Sequence, residues 1–114
     1  MLKSSMMKSG TQEKYLLTFH VRDKMRYYRL TEGRIKRIIR HPARVEEGIL
    51  EGAMACMQPA GGKQYSEIWA MYLVPKINGE KRIKIITAWR YPGKSPARDP
   101  IPKRVLQEVR AILS

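Results

Sequence analysis

The chain contains one cysteine, few acidic residues and no long apolar run. Cys56 is the only cysteine among 114 residues, which excludes an intramolecular disulfide and a cysteine-based zinc site. The longest apolar run covers residues 68–74, far short of the roughly 20 residues that a membrane-spanning helix needs. The first ten residues lack the apolar segment of a signal peptide. These absences predict a reduced, cytoplasmic protein that does not bind a membrane, with Cys56 as a buried thiol.

Clustered metal ligands and phosphate-binding loops are missing as well. The carboxylates and histidines form no Asp-x-Asp or His-x-His group that would hold two magnesium ions. Gly61 and Gly62 lack the strand-to-helix context and the following Lys-Ser/Thr of a P-loop. The sequence therefore predicts no metal site and no cofactor.

Positive charge is what the chain has in excess. It carries 23 basic and 10 acidic residues, a formal net charge of +13. A small domain needs a net charge of only about 2–8 for solubility. An excess of this size attracts polyanions, and nucleic acid is the first such partner to consider, with an anionic membrane as the second. The alternative is a generically basic protein without a polyanionic partner.

Local patterns predict an α+β fold. Residues 15–21 have the composition of a strand, and residues 22–29 show helical spacing of apolar side chains. Thr31 is expected to cap a second helix, which Pro42 ends. Strands follow from Val45, and Asn78-Gly79 predicts a hairpin that pairs residues 66–74 with 81–89. A last helix is expected to begin near Pro102, with Asp99 or a neighbour as its cap.

The predicted order of elements is β-α-α-β-β-β-α. It corresponds to an antiparallel sheet of about four strands, with the helical pair and the C-terminal helix packed on one face. Residues 1–13 are predicted to be a flexible tail, and residues 14–114 a single domain.

The strand at residues 81–92 combines basic and aromatic side chains. Period-two alternation places Arg82, Lys84 and Arg90 on one face. Trp89 falls on the other face and fits a core position. Tyr91, at the strand exit, is the better candidate for an exposed ring that stacks on a base. If the strand is regular, its basic face forms the floor of a binding surface.

Residues 19–42 resemble the opening of a small family of domains of unknown function that is grouped with RelE-like and BrnT-like toxins. The shared features are a strand ending in a histidine, a helix with a basic residue followed by Met, a turn and a second helix. Residues 85–89, Ile-Ile-Thr-Ala-Trp, are similar to the final-strand pattern of BrnT-like toxins, with Trp89 where those carry Arg. The resemblance implies a RelE-like fold and a metal-independent ribonuclease activity.

Metal-independent RNA cleavage needs a base, an acid and cations around one phosphate. On this hypothesis His20 acts in acid–base catalysis, Lys84 and Arg90 hold the scissile phosphate, and Tyr91 stacks or donates a proton. A histidine that only bonds local backbone is the alternative for His20. Further contacts to nucleic acid are expected from other basic side chains, namely Arg22, Lys24, Arg26, Arg34, Arg37 and Arg82.

Two other functions remain open at this point. One is a non-catalytic nucleic-acid-binding module that uses the helix at residues 34–40 and the same strand. Its helical pair could also be a helix-turn-helix that places this helix in a DNA groove. The other is a protein-interaction domain whose partner is acidic, such as an antitoxin.

Overall fold

The computed structural model describes residues 14–47 and 50–113, so the tail predicted at residues 1–13 lies outside it. The described part of the chain has an α+β fold, as predicted. Its elements in chain order are β1 (Tyr15–Leu17), α1 (Phe19–Tyr28), α2 (Glu32–Arg40), β2 (Arg44–Glu47), β3 (Met54–Pro59), β4 (Ser66–Leu73), β5 (Lys76–Ile77), β6 (Glu80–Lys81), β7 (Ile83–Pro92) and α3 (Lys103–Leu113).

The main sheet has five strands in the order β1-β7-β4-β3-β2, and it is mixed. The first strand pairs with β7 in parallel, whereas the other pairs are antiparallel. The predicted sheet of about four antiparallel strands is therefore wrong in two respects. It missed β2 as a separate strand, and it missed the parallel return of β1 to the end of the sheet.

The predicted pairing of the two long strands is confirmed. Strands β4 and β7 pair antiparallel from Ser66↔Pro92 to Leu73↔Lys84. Between them, β5 and β6 form a two-stranded ribbon that turns at Asn78-Gly79. Both turn residues have positive φ angles, 54° and 82°, which Asn and Gly adopt at low cost.

A β-bulge interrupts β7. Met71 faces Thr87, but its neighbour Tyr72 faces Ile85, so Ile86 is an extra residue in the strand. One extra residue reverses the alternation of side chains beyond it. Lys84 therefore lies on the opposite face of the sheet from Arg90, and the prediction that they share a face is wrong.

Each face of the sheet has its own hydrophobic core. One core lies beneath α1 and α2, where Val21, Ile35 and Ile38 are fully buried. The other contains Val105 and Val109 of α3. The helices thus cover both faces, not one as predicted. They do so because β7 and β4 are apolar on both sides.

Two tryptophans form the centre of the α3 core. The rings of Trp69 and Trp89 lie parallel, with 5.7 Å between their centroids. Trp89 is fully buried and donates its indole N–H to the carbonyl of Pro100 at 3.0 Å. The prediction that Trp89 belongs to the core is confirmed. Cys56, 2% exposed, is buried as predicted.

Strand β1 pairs with β7 only as far as Ile85. Beyond that residue, helix α1 lies along the same edge of β7. The hydroxyl of Thr18 caps the helix by accepting the N–H of Val21 at 3.1 Å, and it donates to the carbonyl of Ile85 at 3.2 Å. At the other end Arg90 donates to the carbonyl of Tyr28 at 3.0 Å. The ten-residue helix is about 15 Å long, close to the length of β7 that it accompanies.

Helix α2 follows its prediction closely. The hydroxyl of Thr31 accepts the N–H of Arg34 at 3.0 Å, and the helix ends at Arg40, two residues before Pro42. In contrast, Asp99 does not cap α3, which begins at Lys103 directly after Pro102. No helix in the described ranges is long and apolar enough to cross a membrane.

A buried carboxylate fastens the segment between β7 and α3 to the sheet. Glu67, on β4, is 0% exposed. One of its oxygens accepts the Ser95 hydroxyl at 2.5 Å, the Ser95 N–H at 3.3 Å and the Trp69 indole N–H at 3.0 Å. The other accepts the Tyr65 hydroxyl at 3.0 Å and lies 3.8 Å from an Arg44 nitrogen. Burial acts to raise the pKa of Glu67, but these hydrogen bonds outweigh it and lower that pKa.

Candidate functional site

A pocket of about 270 Å³ opens between the α1–α2 turn, helix α2 and the sheet. Four arginines line it, and no acidic side chain is among the lining residues. The lining consists of Arg29, Leu30, Thr31, Arg34, Arg37, Ala60, Ile68 and Arg90. We refer to it as the arginine pocket.

Helix α2 supplies Arg34 and Arg37, which are three residues apart and therefore neighbours on one side of the helix. One terminal nitrogen of Arg34 donates to the carbonyl of Pro59 at 2.8 Å, which fixes the side chain against the end of β3. Its Nε is buried and has no hydrogen-bond partner among the described residues. This one N–H of the guanidinium is enclosed by protein and shielded from solvent.

Arg29 enters the pocket from the turn between the two helices. Its φ of 59° is left-handed, a conformation that costs a non-glycine residue about 1–2 kcal/mol. The N–H of Leu30 bonds the carbonyl of Met25 at 2.7 Å, and the N–H of Arg29 bonds that of Arg26 at 3.3 Å. These bonds form a Schellman cap, whose left-handed position is usually glycine. An arginine at this position, with its side chain lining the pocket, is a functional candidate.

Arg90 reaches the pocket because of the bulge at Ile86. Its cross-strand neighbour is Ile68, which also lines the pocket. Its Nε donates to the carbonyl of Tyr28 at 3.0 Å, so the side chain also binds the last carbonyl of α1. Its two terminal nitrogens have no acceptor in the described part of the chain, so they remain available to a ligand.

The arginines repel one another. Burial lowers the pKa of Arg34, and the positive charges of Arg37 and Arg90 lower it further. A guanidinium nevertheless stays protonated at neutral pH, so the repulsion is not relieved by loss of a proton. The amino terminus of α2, which begins after Thr31, adds partial positive charge at the same place. An anion with several acceptor oxygens would satisfy these groups together.

Two of the six basic residues predicted to contact nucleic acid, Arg34 and Arg37, line this pocket. The other four each lie beside a carboxylate. The pairs are Arg22 with Glu32 at 3.8 Å, Lys24 with Glu108 at 2.9 Å, Arg26 with Asp23, and Arg82 with Glu80 at 2.8 Å. These carboxylates neutralise part of the positive charge on α1 and at the start of β7.

The four predicted catalytic residues do not form one site. His20 is in the first turn of α1, with its Nε2 3.8 Å from a carboxylate oxygen of Glu108 on α3. Burial and the charge of Lys24 lower the pKa of His20. It is separated from the carbonyl of Tyr28, which Arg90 contacts, by about 12 Å along the helix axis.

Lys84 and Tyr91 lie on the face of the sheet that α3 covers. Lys84 pairs with Leu73, and Tyr91 pairs with Glu67 and packs partly buried against the α3 core. The expected exposed ring at Tyr91 is therefore wrong. Of the predicted catalytic residues only Arg90 belongs to the arginine pocket.

The sequence interpretation missed Arg29, and it missed that Arg29, Arg34 and Arg37 meet Arg90. A partial signal exists, because Arg34 and Arg37 flank the buried Ile35 and Ile38 and must lie at the border of the apolar stripe. Their proximity to Arg90 depends on the sheet order and on the bulge, which the local sequence does not reveal.

The described residues contain no group of three or more histidine, cysteine or acidic side chains that could hold a metal ion. Comparisons with protein-family models, with curated proteins and with solved structures find no match for this chain.

Proposed function

We propose that this protein binds RNA and that the arginine pocket holds an RNA phosphate. The observation that carries the proposal is the convergence of four guanidinium groups from α1–α2 and β7 on one concave site without an acidic lining residue. Structural arginines are usually neutralised by nearby carboxylates, as Arg44 is by Glu46 at 3.0 Å. In the arginine pocket, a bound anion would neutralise the guanidinium charges instead.

Phosphate fits this donor set. Guanidinium groups bind phosphate oxygens through paired N–H donors, and they are hydrated more weakly than ammonium groups. Arg90 offers two terminal nitrogens, and the helix terminus beside Thr31 adds backbone donors. The net charge of +13 strengthens attraction to any polyanion and makes the binding dependent on salt.

A single strand suits the site better than a duplex. The arginines line a concavity, whereas reading a duplex groove requires an element that protrudes into it. A flexible strand can insert one phosphate and place its bases on nearby rings. Two residues before Arg29 of the pocket, helix α1 presents the ring of Tyr27, at 73% exposure, for such stacking. These observations favour single-stranded RNA over the helix-turn-helix alternative.

Membership in the RelE/BrnT-like group, and the ribonuclease activity that it implies, are a further step of this proposal. Cleavage requires an acid–base group at the phosphate, and Thr31 provides the only side-chain hydroxyl in the lining. No histidine or carboxylate lines the pocket. Binding without cleavage is therefore the function that the geometry supports best. An acidic antitoxin-like partner would compete for the same arginines.

The test is fluorescence anisotropy with a 12-nucleotide single-stranded RNA, labelled at its 3′ end. In the variant Arg29→Gln/Arg37→Gln we expect binding about thirtyfold weaker, from about 1 kcal/mol for each guanidinium–phosphate interaction removed. The dependence of affinity on salt should also become shallower, by about 0.7 in the logarithmic slope for each phosphate that is no longer neutralised. Neither side chain makes a hydrogen bond or ion pair within the described ranges, so the fold should persist.

The matched control is Lys103→Gln/Arg110→Gln, which removes the same charge from exposed positions on α3. It should retain affinity within about threefold, because only the general field is reduced. Equal loss of binding in the two double variants would contradict a localised phosphate site. Electrophoresis of the same RNA after incubation with the protein in EDTA tests separately for metal-independent cleavage.

A further inference from the structure

The arginine pocket is closed on the side of the sheet. Ile68, 2% exposed, and Leu30, 8% exposed, form its apolar floor, and Ala60 of the β3–β4 connection adds to its lining. Its volume of about 270 Å³ lies just below the range of about 300–1,000 Å³ for pockets that enclose drug-sized ligands. A phosphate with part of its sugar is small enough to fit such a pocket.

We infer that the pocket binds a terminal phosphomonoester at the end of an RNA strand, in preference to an internal phosphodiester. The inference rests on the proposed function and identifies which phosphate the site accepts. A strand end needs one opening only, because a single ester bond connects the phosphate to the chain. An internal phosphate is bonded on two sides, so both flanking nucleotides must lie across the mouth of the pocket while its two free oxygens point inward.

Charge favours the same ligand. An internal phosphodiester carries one negative charge and two free oxygens. A phosphomonoester carries about −1.5 to −2 at pH 7 and presents three strong acceptor oxygens. Four guanidinium groups meet here, and no lining carboxylate offsets them. The ligand with more charge therefore relieves more of their mutual repulsion.

The donors also match three oxygens. Arg90 has two terminal nitrogens without acceptors in the described part of the chain, because only its Nε donates, to the carbonyl of Tyr28. Arg29 and Arg37 extend toward the same space from the turn and from α2. Together these groups offer more donors than the two oxygens of a diester can accept in good geometry.

The experiment compares 12-nucleotide RNAs of one sequence, labelled internally, with a 5′-phosphate, a 3′-phosphate or two hydroxyl ends. We expect at least one phosphorylated RNA to bind tenfold or more tightly than the hydroxyl form. That preference should decrease between pH 7 and pH 5.5, because the second pKa of the phosphomonoester is about 6. AMP and inorganic phosphate serve as competitors. Competition by AMP at concentrations no higher than the phosphorylated RNA would identify a free nucleotide as the ligand and overturn the strand-end assignment.

Arg37→Gln should reduce the preference to less than threefold, while the control Lys103→Gln/Arg110→Gln should preserve it. Arg90→Gln provides a second variant, accepted only if its melting temperature stays within a few degrees of the unsubstituted protein. If all three RNAs bind tightly and equally, the strand-end inference is wrong while the proposed RNA binding stands. If none binds, both the inference and the proposed function fail.

Discussion

Replacing Glu67 by glutamine keeps the size of the side chain and removes its charge. In the protein this carboxylate is fully buried, and it accepts four hydrogen bonds, three of them on one oxygen. The amide oxygen of glutamine can take over the three bonds from Ser95 and Trp69. Its NH₂ group then takes the place of the second carboxylate oxygen, next to Tyr65 and Arg44. The Tyr65 hydroxyl can accept a hydrogen bond from this NH₂ group instead of donating one. The NH₂ group carries no negative charge, so the attraction to the Arg44 guanidinium is lost.

The magnitude follows from the change in bond type. A hydrogen bond to a charged group contributes about 1.5–3 kcal/mol, and one between neutral groups about 0.5–1.5 kcal/mol. Three bonds that each weaken by about 1 kcal/mol give a loss of about 3 kcal/mol in the free energy of unfolding. For about 100 ordered residues this corresponds to a melting temperature lower by about 12–24 °C.

Calorimetry at pH 7 measures the change in melting temperature. The control is Glu51→Gln, which makes the same chemical change at an exposed position. The pH dependence provides an independent check. Because the pKa of Glu67 is lowered in the folded protein, its contribution is present above the unfolded-state value of about 4.3. It is lost as the pH falls through the folded value. A Glu67→Gln protein that melts within 2 °C of the unsubstituted protein would refute this account of the network.

Three substitutions test the face assignments and the turn. Lys84→Gln should leave RNA affinity within about twofold, because the bulge places Lys84 on the opposite face of the sheet from the pocket. Arg90→Gln should weaken binding about fivefold, from about 1 kcal/mol for one guanidinium–phosphate interaction. Comparable losses in anisotropy titrations would contradict the separation. Arg29→Gly should keep or raise the melting temperature, since glycine adopts the left-handed φ of 59° without the cost of about 1–2 kcal/mol, while it weakens RNA binding. A lower melting temperature in calorimetry would count against strain at Arg29.

Elements defined by short-range chemistry were predictable. Helix α2 is set by the hydroxyl of Thr31 at one end and by Pro42 beyond the other, and both effects act within a few residues. The ribbon at Asn78-Gly79 is similar, because its turn needs two residues that tolerate positive φ. In these places sequence neighbours decide the conformation.

The site depended on interactions that sequence neighbours do not decide. The parallel pairing of Tyr15 with Ile83 joins segments 68 residues apart, and no local pattern marks it. The bulge is a single extra residue, Ile86, inside a run of apolar side chains that fit either face. Because side chains alternate with a period of two, one extra residue places Arg90 on the face that packs against α2 and Lys84 on the opposite face. Composition indicated a polyanion partner, whereas topology determined which arginines meet.

The position of α1 beside β7 has a consequence for self-association. A sheet edge with unpaired backbone groups is a template for pairing with another chain. Helix α1 covers the rim of β7 beyond Ile85, and the short β1 covers the rest. Among the described strands of the main sheet, the two outer rims belong to β1, with three residues, and to β2, with four residues of which three are charged. Short length and charge are the features that discourage edge-to-edge stacking. The same arrangement that brings Tyr28 to Arg90 thus leaves only short rims for edge-to-edge pairing among the described strands.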